Sequence, residues 1–227
     1  MELFSPEFFS ALFAIIVIDL VLAGDNAIVI ALAARGLPRE RQKQVIVWGT
    51  VGAIVIRAVM TLAVVWLLNI PGLMLAGGLL LIWIAYKLIT SNTEPKHGAD
   101  QTSNAGLWAA IKTIIIADAV MGIDNVLGVA GAAHGSFLLV VLGLLISVPI
   151  MVFGSSLVLK WIERFPSIIY IGAAVLAWTA ASMISKEQWL ATYIDLHDAI
   201  TWAIYGLAIG GVLILGYARN KTRLSPT

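Results

Sequence analysis

Seven long apolar stretches dominate the chain and leave few architectures open to it. They run over residues 8–34, 45–68, 71–89, 107–133, 137–159, 167–184 and 198–217. Most reach or exceed the roughly 20 residues that a helix needs to cross about 30 Å of hydrocarbon. The sixth, with Tyr170 and Trp178, spans with modest mismatch. Only 12% of the residues are charged and 60% are hydrophobic, whereas a soluble domain carries about 25% charged residues. Such a chain cannot cover its own surface with polar groups, and it reads as an all-α, polytopic membrane protein. The first run holds two aspartates, lacks a basic leader and is too long for a signal peptide, so it is read as a span. No cysteine is present, which excludes disulfides, thiolate metal sites and iron–sulfur clusters.

Seven spans place alternate connections on opposite sides of the bilayer. Twelve of the fourteen basic residues then fall on one side, Lys186 alone on the other, and Arg57 within the second span. By the positive-inside rule the basic side is cytoplasmic, which puts the N-terminus out and the C-terminus in.

The chain also resembles itself. Ile15-Ile16-Val17-Ile18-Asp19 through Gly24-Asp25-Asn26 matches Ile114-Ile115-Ile116-Ala117-Asp118 through Ile123-Asp124-Asn125 at a constant offset of 99. Pro71, Gly77 and Trp83 match Pro166, Gly172 and Trp178 at an offset of 95, and Gly49 can be set on Gly143, which puts Arg57 opposite Met151. Each copy holds three spans, and an odd number reverses direction, so the copies are expected as inverted repeats with a site near the midplane. The expected organisation is a first three-helix repeat over 1–90, a cytoplasmic linker over 91–106, and a second repeat over 107–185. An outer loop over 186–197, a seventh helix over 198–218 and a cytoplasmic tail over 219–227 complete it. Gly206 and Gly210 on the seventh helix would let another helix approach closely, within the fold by preference or in a homodimer.

Asp19, Asp25, Asp118 and Asp124 lie inside the first and fourth spans. A carboxylate at a helix centre costs about 2.5–3.5 kcal/mol on insertion scales, so four placed at random would cost roughly 10–14 kcal/mol. Interhelical hydrogen bonding would need only one polar residue per helix, so a functional site is the stronger reading. Asp19 and Asn26 are about two turns apart and share a face, as do Asp118 and Asn125. Asp25 and Asp124 would point about 240° away in straight helices. Because Gly24-Asp25-Asn26 and Gly122-Ile123-Asp124-Asn125 are poor helix formers, an unwound or bulged turn is expected there, swinging both acids inward and releasing backbone carbonyls as ligands.

Four carboxylates and two amides around one point are hard oxygen donors suited to Mg²⁺, Ca²⁺ or Mn²⁺. With no cysteine and no mid-span histidine, Zn²⁺ and Cu⁺ are disfavoured. Met121 shares the stripe of Asp118 and Asn125; as a ligand it would favour Mn²⁺, although a packing role weighs more. Arg57 is the charge partner, either of the cluster or of one aspartate in a structural pair. Four carboxylates and one arginine carry −3 when ionised and −1 with one divalent cation bound. Crowded carboxylates hold protons when the metal is absent, and that competition is the minimal requirement for cation/proton antiport. His134 reads as an interfacial residue, the 91–100 stretch as a linker, and Trp108, Trp161, Trp189 and Trp202 as interfacial belt residues. No phosphate loop, nucleophile–base pair or zinc-protease pattern occurs, so neither an enzyme nor a resident cofactor is expected, and the basic loops need no nucleic-acid partner.

These residues resemble the TerC family of bacterial integral membrane proteins, within the LysE-like transporter superfamily. The likeness rests on Asp19, Gly24-Asp25-Asn26-Ala27, Arg35-Gly36, Asp118 and Gly122-Ile123-Asp124-Asn125-Val126. It implies seven helices, a bacterial inner membrane, and metal-ion transport with manganese efflux foremost. Mapped by motif, the metal positions would be Asp19, Asp25, Asn26, Asp118, Asp124 and Asn125. The expected partners are therefore the bilayer, a divalent ion (Mn²⁺ first, Ca²⁺ as the alternative) and protons. A divalent-cation channel, and a non-transporting protein that aids metal loading of exported proteins, stay open as rivals.

Overall fold

The computed structural model describes residues 5–67, 70–90, 104–133, 136–188, 190 and 198–224; at some helical positions, Asp124 among them, it describes the backbone alone. Among the described residues the chain is helical and no strand occurs. The helices are α1 (Pro6–Ala34), α2 (Arg39–Leu67), α3 (Leu73–Thr90), α4 (Asn104–Ala132), α5 (Phe137–Arg164), α6 (Ile168–Ser185) and α7 (Asp198–Leu224). Hydrocarbon offers no water to backbone amides, so each apolar run closes its own hydrogen-bond ladder. Among the described residues six helices are long and apolar enough to cross a bilayer, and α1 adds a seventh span when its two arms, Pro6–Asp19 and Gly24–Ala34, are taken together. The helices outrun the apolar stretches: α2 begins six residues before its stretch, at Arg39, and α5 continues five residues past its own, to Arg164.

Local chemistry explains the ends. Ser5 caps α1 by accepting the Phe8 amide at 3.2 Å, with Pro6 in the first turn, where its missing N–H costs nothing. Between α2 and α3 the chain turns through Gly72 at φ +80°, a conformation that L side chains resist. The start of α3 is then held by a residue 115 positions on: Glu187, 2% exposed, accepts the Gly72 amide at 2.9 Å and the Leu75 amide at 3.2 Å. Both carboxylate oxygens thus satisfy orphan donors at the positive end of the α3 dipole. At the other end of α3, Arg35 donates to the Leu88 carbonyl at 2.7 Å, and burial holds its guanidinium down at about 10. Asn220 of α7 donates to the Ile89 carbonyl and to the Tyr170 hydroxyl, both at 3.2 Å, so one side chain ties α7 to α3 and α6.

The packing scheme exchanges helices between the two halves. The closest partners are α1 with α5, α2 with α4, and α3 with α6, while α7 lies against α6 and α3. Glycines set the closest crossings. A Cβ on Gly49 of α2 would sit 2.7 Å from Ile114 Cδ1 of α4, and one on Gly143 of α5 would collide with Ile15 Cγ2 of α1. The face of α2 that carries Ile46, Thr50, Ala53, Arg57 and Thr61 is buried, and the opposite stripe of Trp48, Val51, Val55, Val59 and Leu62 is exposed. That 3.6-residue alternation leaves an apolar outer stripe for lipid and aims Arg57 inward.

Two expectations need correction. The turn expected to unwind at Gly24-Asp25-Asn26 is helical, as is Gly122-Ile123-Asp124-Asn125 in α4. In α1 the departure is a 46° bend between Pro6–Asp19 and Gly24–Ala34, just before the expected turn. Gly206 and Gly210 do not bring α7 close to the fold, since a Cβ on either would meet nothing within 4 Å; Gly216 makes that approach, against Ile89. Trp108, Trp161 and Trp202 are exposed. His134, Trp189 and the 91–100 stretch lie outside the described residues.

Candidate functional site

Ile15 and Ile114 are the knobs that fill the Gly143 and Gly49 notches, and four residues on, one turn along the same faces, stand Asp19 and Asp118. The contacts that fix the helix crossings therefore also aim two carboxylates into the interior. Asp19 is 0% exposed and Asp118 4%. Between them lies the Arg57 guanidinium, 1% exposed, brought in by the buried face of α2. Its Nη1 donates to Asp19 Oδ1 at 2.6 Å and its Nη2 to Asp118 Oδ1. Thr61 Oγ1 caps the Arg57 carbonyl at 2.8 Å, one turn further on.

Each aspartate uses one oxygen. Among the described residues Asp19 Oδ2, Asp118 Oδ2, Arg57 Nε, Thr50 Oγ1 and both amide atoms of Asn26 are buried without a hydrogen-bond partner. So many uncommitted polar atoms in an apolar interior would be costly in a purely structural network. Four of them are oxygens, the donor type that hard divalent cations prefer.

The six positions expected to bind metal divide into groups. Asp19 and Asp118 meet across Arg57. Asn26 is buried on the stripe of Asp19, and Asn125 is half-buried. Asp25 is half-buried and turned to α6, where its Oδ2 accepts from Thr179 Oγ1 at 3.4 Å. The side chain of Asp124 lies outside the description. Among the described residues no three acidic or histidine side chains converge on one point. Met121 is buried in the larger apolar cluster with Ile114, Ala117 and Val120.

The sequence reading missed Thr179, and left open whether Arg57 served one acid or several. Thr179 was within reach as a hydroxyl in the middle of an otherwise apolar span. The two-acid grip of Arg57 was not, because it depends on how three helices cross.

Residues 4–224 match the family described as "Integral membrane protein TerC family". The chain is 41% identical over 208 residues to an "Uncharacterized membrane protein YjbE" of Bacillus subtilis, covering 92% of this chain and 94% of that one. It is 25% identical over 196 residues to YkoY, an uncharacterized membrane protein of the same organism, covering 78% of this chain and 60% of that one. A "UPF0053 inner membrane protein YgdQ" of Escherichia coli is 24% identical over 232 residues, 95% of both chains. No solved structure matches. The chain is a multi-pass integral membrane protein and belongs to the TerC family.

Proposed function

We propose that this chain is a secondary transporter of the bacterial inner membrane that exports a divalent metal cation, Mn²⁺ foremost, in exchange for protons. One observation carries the reading: two acids from equivalent positions of α1 and α4 converge in the bundle interior, each with one buried oxygen uncommitted. Carboxylates held that close bind either protons or a metal ion and not both at full occupancy, which is the chemistry of an antiporter. The TerC resemblance supplies the preference for manganese, and hard oxygens keep Ca²⁺ as the alternative.

The architecture we assign to it is two inverted three-helix repeats plus α7, with the N-terminus outside and the C-terminus inside. Several contacts support the repeat. The α1–α5 and α4–α2 packings are equivalent under it, and so are the Gly143–Ile15 and Gly49–Ile114 notches. Thr61 Oγ1 bonds the Arg57 carbonyl at 2.8 Å, and Ser155 Oγ bonds that of Met151 at 2.6 Å, at positions 94 apart. A site between such halves suits alternating access. A permanently open channel fits less well, because a guanidinium spans the two acids. Nothing in this reading calls for enzymatic chemistry, a resident cofactor or a homodimer.

The test is Mn²⁺ and Ca²⁺ flux in reconstituted vesicles under an imposed pH gradient, comparing wild type with Asp25→Asn and Asp124→Asn. Metal-driven proton movement that both variants lose supports antiport. Flux that ignores the pH gradient favours a channel, and binding without flux an accessory role. Full flux in both variants would refute the six-residue site.

A further inference from the structure

We infer that Arg57 is a built-in substitute for the transported cation. Its guanidinium occupies Asp19 and Asp118 when the site is empty, withdraws when the metal ion binds, and returns once the ion has left. This rests on the transport reading above and assigns the structure to the arginine-occupied state.

The geometry is that of an occupant. A guanidinium optimised as a structural staple grips a carboxylate with two parallel bonds and finds a partner for Nε. Here each acid receives one nitrogen, Nε has no partner among the described residues, and the second oxygen of each acid is left over. Arg57 bridges one acid from each half in the way a metal ion between them would.

Charge makes the two occupants exclusive. Asp19, Asp118 and Arg57 together carry −1; adding a divalent ion with the guanidinium in place would give +1. Two cations on the same oxygens at low dielectric repel strongly. With Arg57 withdrawn the metal-loaded pair is neutral, and with Arg57 in place the empty pair carries −1 rather than −2, which one exchanged proton on a free carboxylate oxygen brings to zero. Both loaded and empty sites can then cross the low-dielectric interior with little residual charge.

The sequence contains its own control for the staple alternative. Met151 stands at the position equivalent to Arg57, is also 1% exposed, and packs with Ile15, Ile54 and Leu144. Both backbone carbonyls receive the same hydroxyl cap, from Thr61 and Ser155. A helix crossing of this kind therefore packs around an uncharged, unbranched side chain, and the guanidinium is not what holds it.

The experiment uses the full chain, purified and reconstituted, with Arg57→Met and Arg57→Lys. Equilibrium Mn²⁺ binding, Mn²⁺/Mn²⁺ exchange and net Mn²⁺ efflux are measured side by side, and thermal melting confirms folding. If the arginine-withdrawn state is about a tenth of the wild-type population, its removal tightens Mn²⁺ binding about tenfold. Exchange, which never requires the empty site to cross, persists in Arg57→Met, while net efflux drops about tenfold or more and Arg57→Lys restores part of it. Net efflux at the wild-type level in Arg57→Met overturns the inference, as does parallel loss of binding, exchange and efflux in a folded variant. If Arg57→Met does not fold, Arg57→Lys carries the contrast: exchange kept with lowered net efflux supports it, and parallel loss overturns it. A wild-type protein that neither binds nor moves Mn²⁺ or Ca²⁺ sinks the transport reading itself, a result distinct from any of these.

Discussion

Replacing Gly49 with alanine tests whether the notch-and-knob contacts position the site. The new Cβ would lie 2.7 Å from Ile114 Cδ1, 3.1 Å from Cγ2 and 3.3 Å from Cβ. Carbon atoms in good contact sit about 3.5–4.0 Å apart, so α2 and α4 must separate by several tenths of an ångström. Rotating Ile114 does not relieve this, because its χ1 is nearly fixed in a helix and its Cβ is itself too close. Overpacking of this kind costs about 1–3 kcal/mol, or about 2–4 °C of melting temperature per kcal/mol for a chain of this size. Asp118 stands one turn from Ile114 and Arg57 two turns from Gly49, so the separation also stretches the bridge they share, and Mn²⁺ flux falls with stability. Removing the knob supplies the control. Ile114→Ala alone opens a cavity, but the Gly49→Ala/Ile114→Ala pair should be more stable than the sum of its parts by about 1–3 kcal/mol. Melting of the four proteins in detergent, followed by tryptophan fluorescence, gives the coupling, and the same cycle at Gly143 and Ile15 should give one of the same sign. Additive effects within about 0.5 kcal/mol in both cycles would refute the argument that these contacts set the crossings.

Other perturbations separate site from scaffold. Asp19→Asn or Asp118→Asn should lower Mn²⁺ flux at least tenfold, roughly the 1.4 kcal/mol that a lost charged ligand easily exceeds; unchanged flux in either would remove that acid from the site. Thr179→Val deletes the hydroxyl on Asp25, worth about 0.5–1.5 kcal/mol, and should raise the Mn²⁺ concentration for half-maximal flux about two- to tenfold. An unaltered concentration dependence would make that contact incidental. Glu187→Ala orphans the amides of Gly72 and Leu75, at about 1–3 kcal/mol each. It should melt well below Glu187→Gln, which keeps one acceptor; equal melting temperatures would deny the carboxylate its capping role.

Much of the fold was legible because hydrocarbon simplifies the code. Apolar runs of sufficient length become helices, and each of the seven stretches falls on one of the long helices among the described residues. The face of Asp19 followed from helical spacing alone. The exact place of the departure did not: propensity argued for a break at Gly24-Asp25-Asn26, and α1 bends by 46° between Asp19 and Gly24 instead. Glu187 could not be anticipated at all: it reaches the start of α3 from 115 residues away, and no local pattern encodes such a partner. The grip of Arg57 on two acids was hidden for a related reason. Sequence places each of the three residues on an inward face but says nothing of which oxygen a nitrogen finds once three helices cross.

The two halves of the sequence share their aspartates, their asparagines and their glycine notches, and the few positions where a polar residue of one aligns with an apolar residue of the other help to assign roles. Gly49 and Ile114 pair as Gly143 and Ile15 do, and the hydroxyl caps of Thr61 and Ser155 coincide. At two positions that differ, the first half has Arg57 where the second has the buried Met151, and the second has Thr179 where the first has the buried Ile84. If a guanidinium or a mid-span hydroxyl were needed to pack its helix, its apolar counterpart should leave a defect in the other half. Yet Met151 and Ile84 are each 1% exposed within continuous apolar clusters. Packing therefore does not account for Arg57 and Thr179. What remains to account for them is what they touch, the carboxylates of Asp19, Asp118 and Asp25.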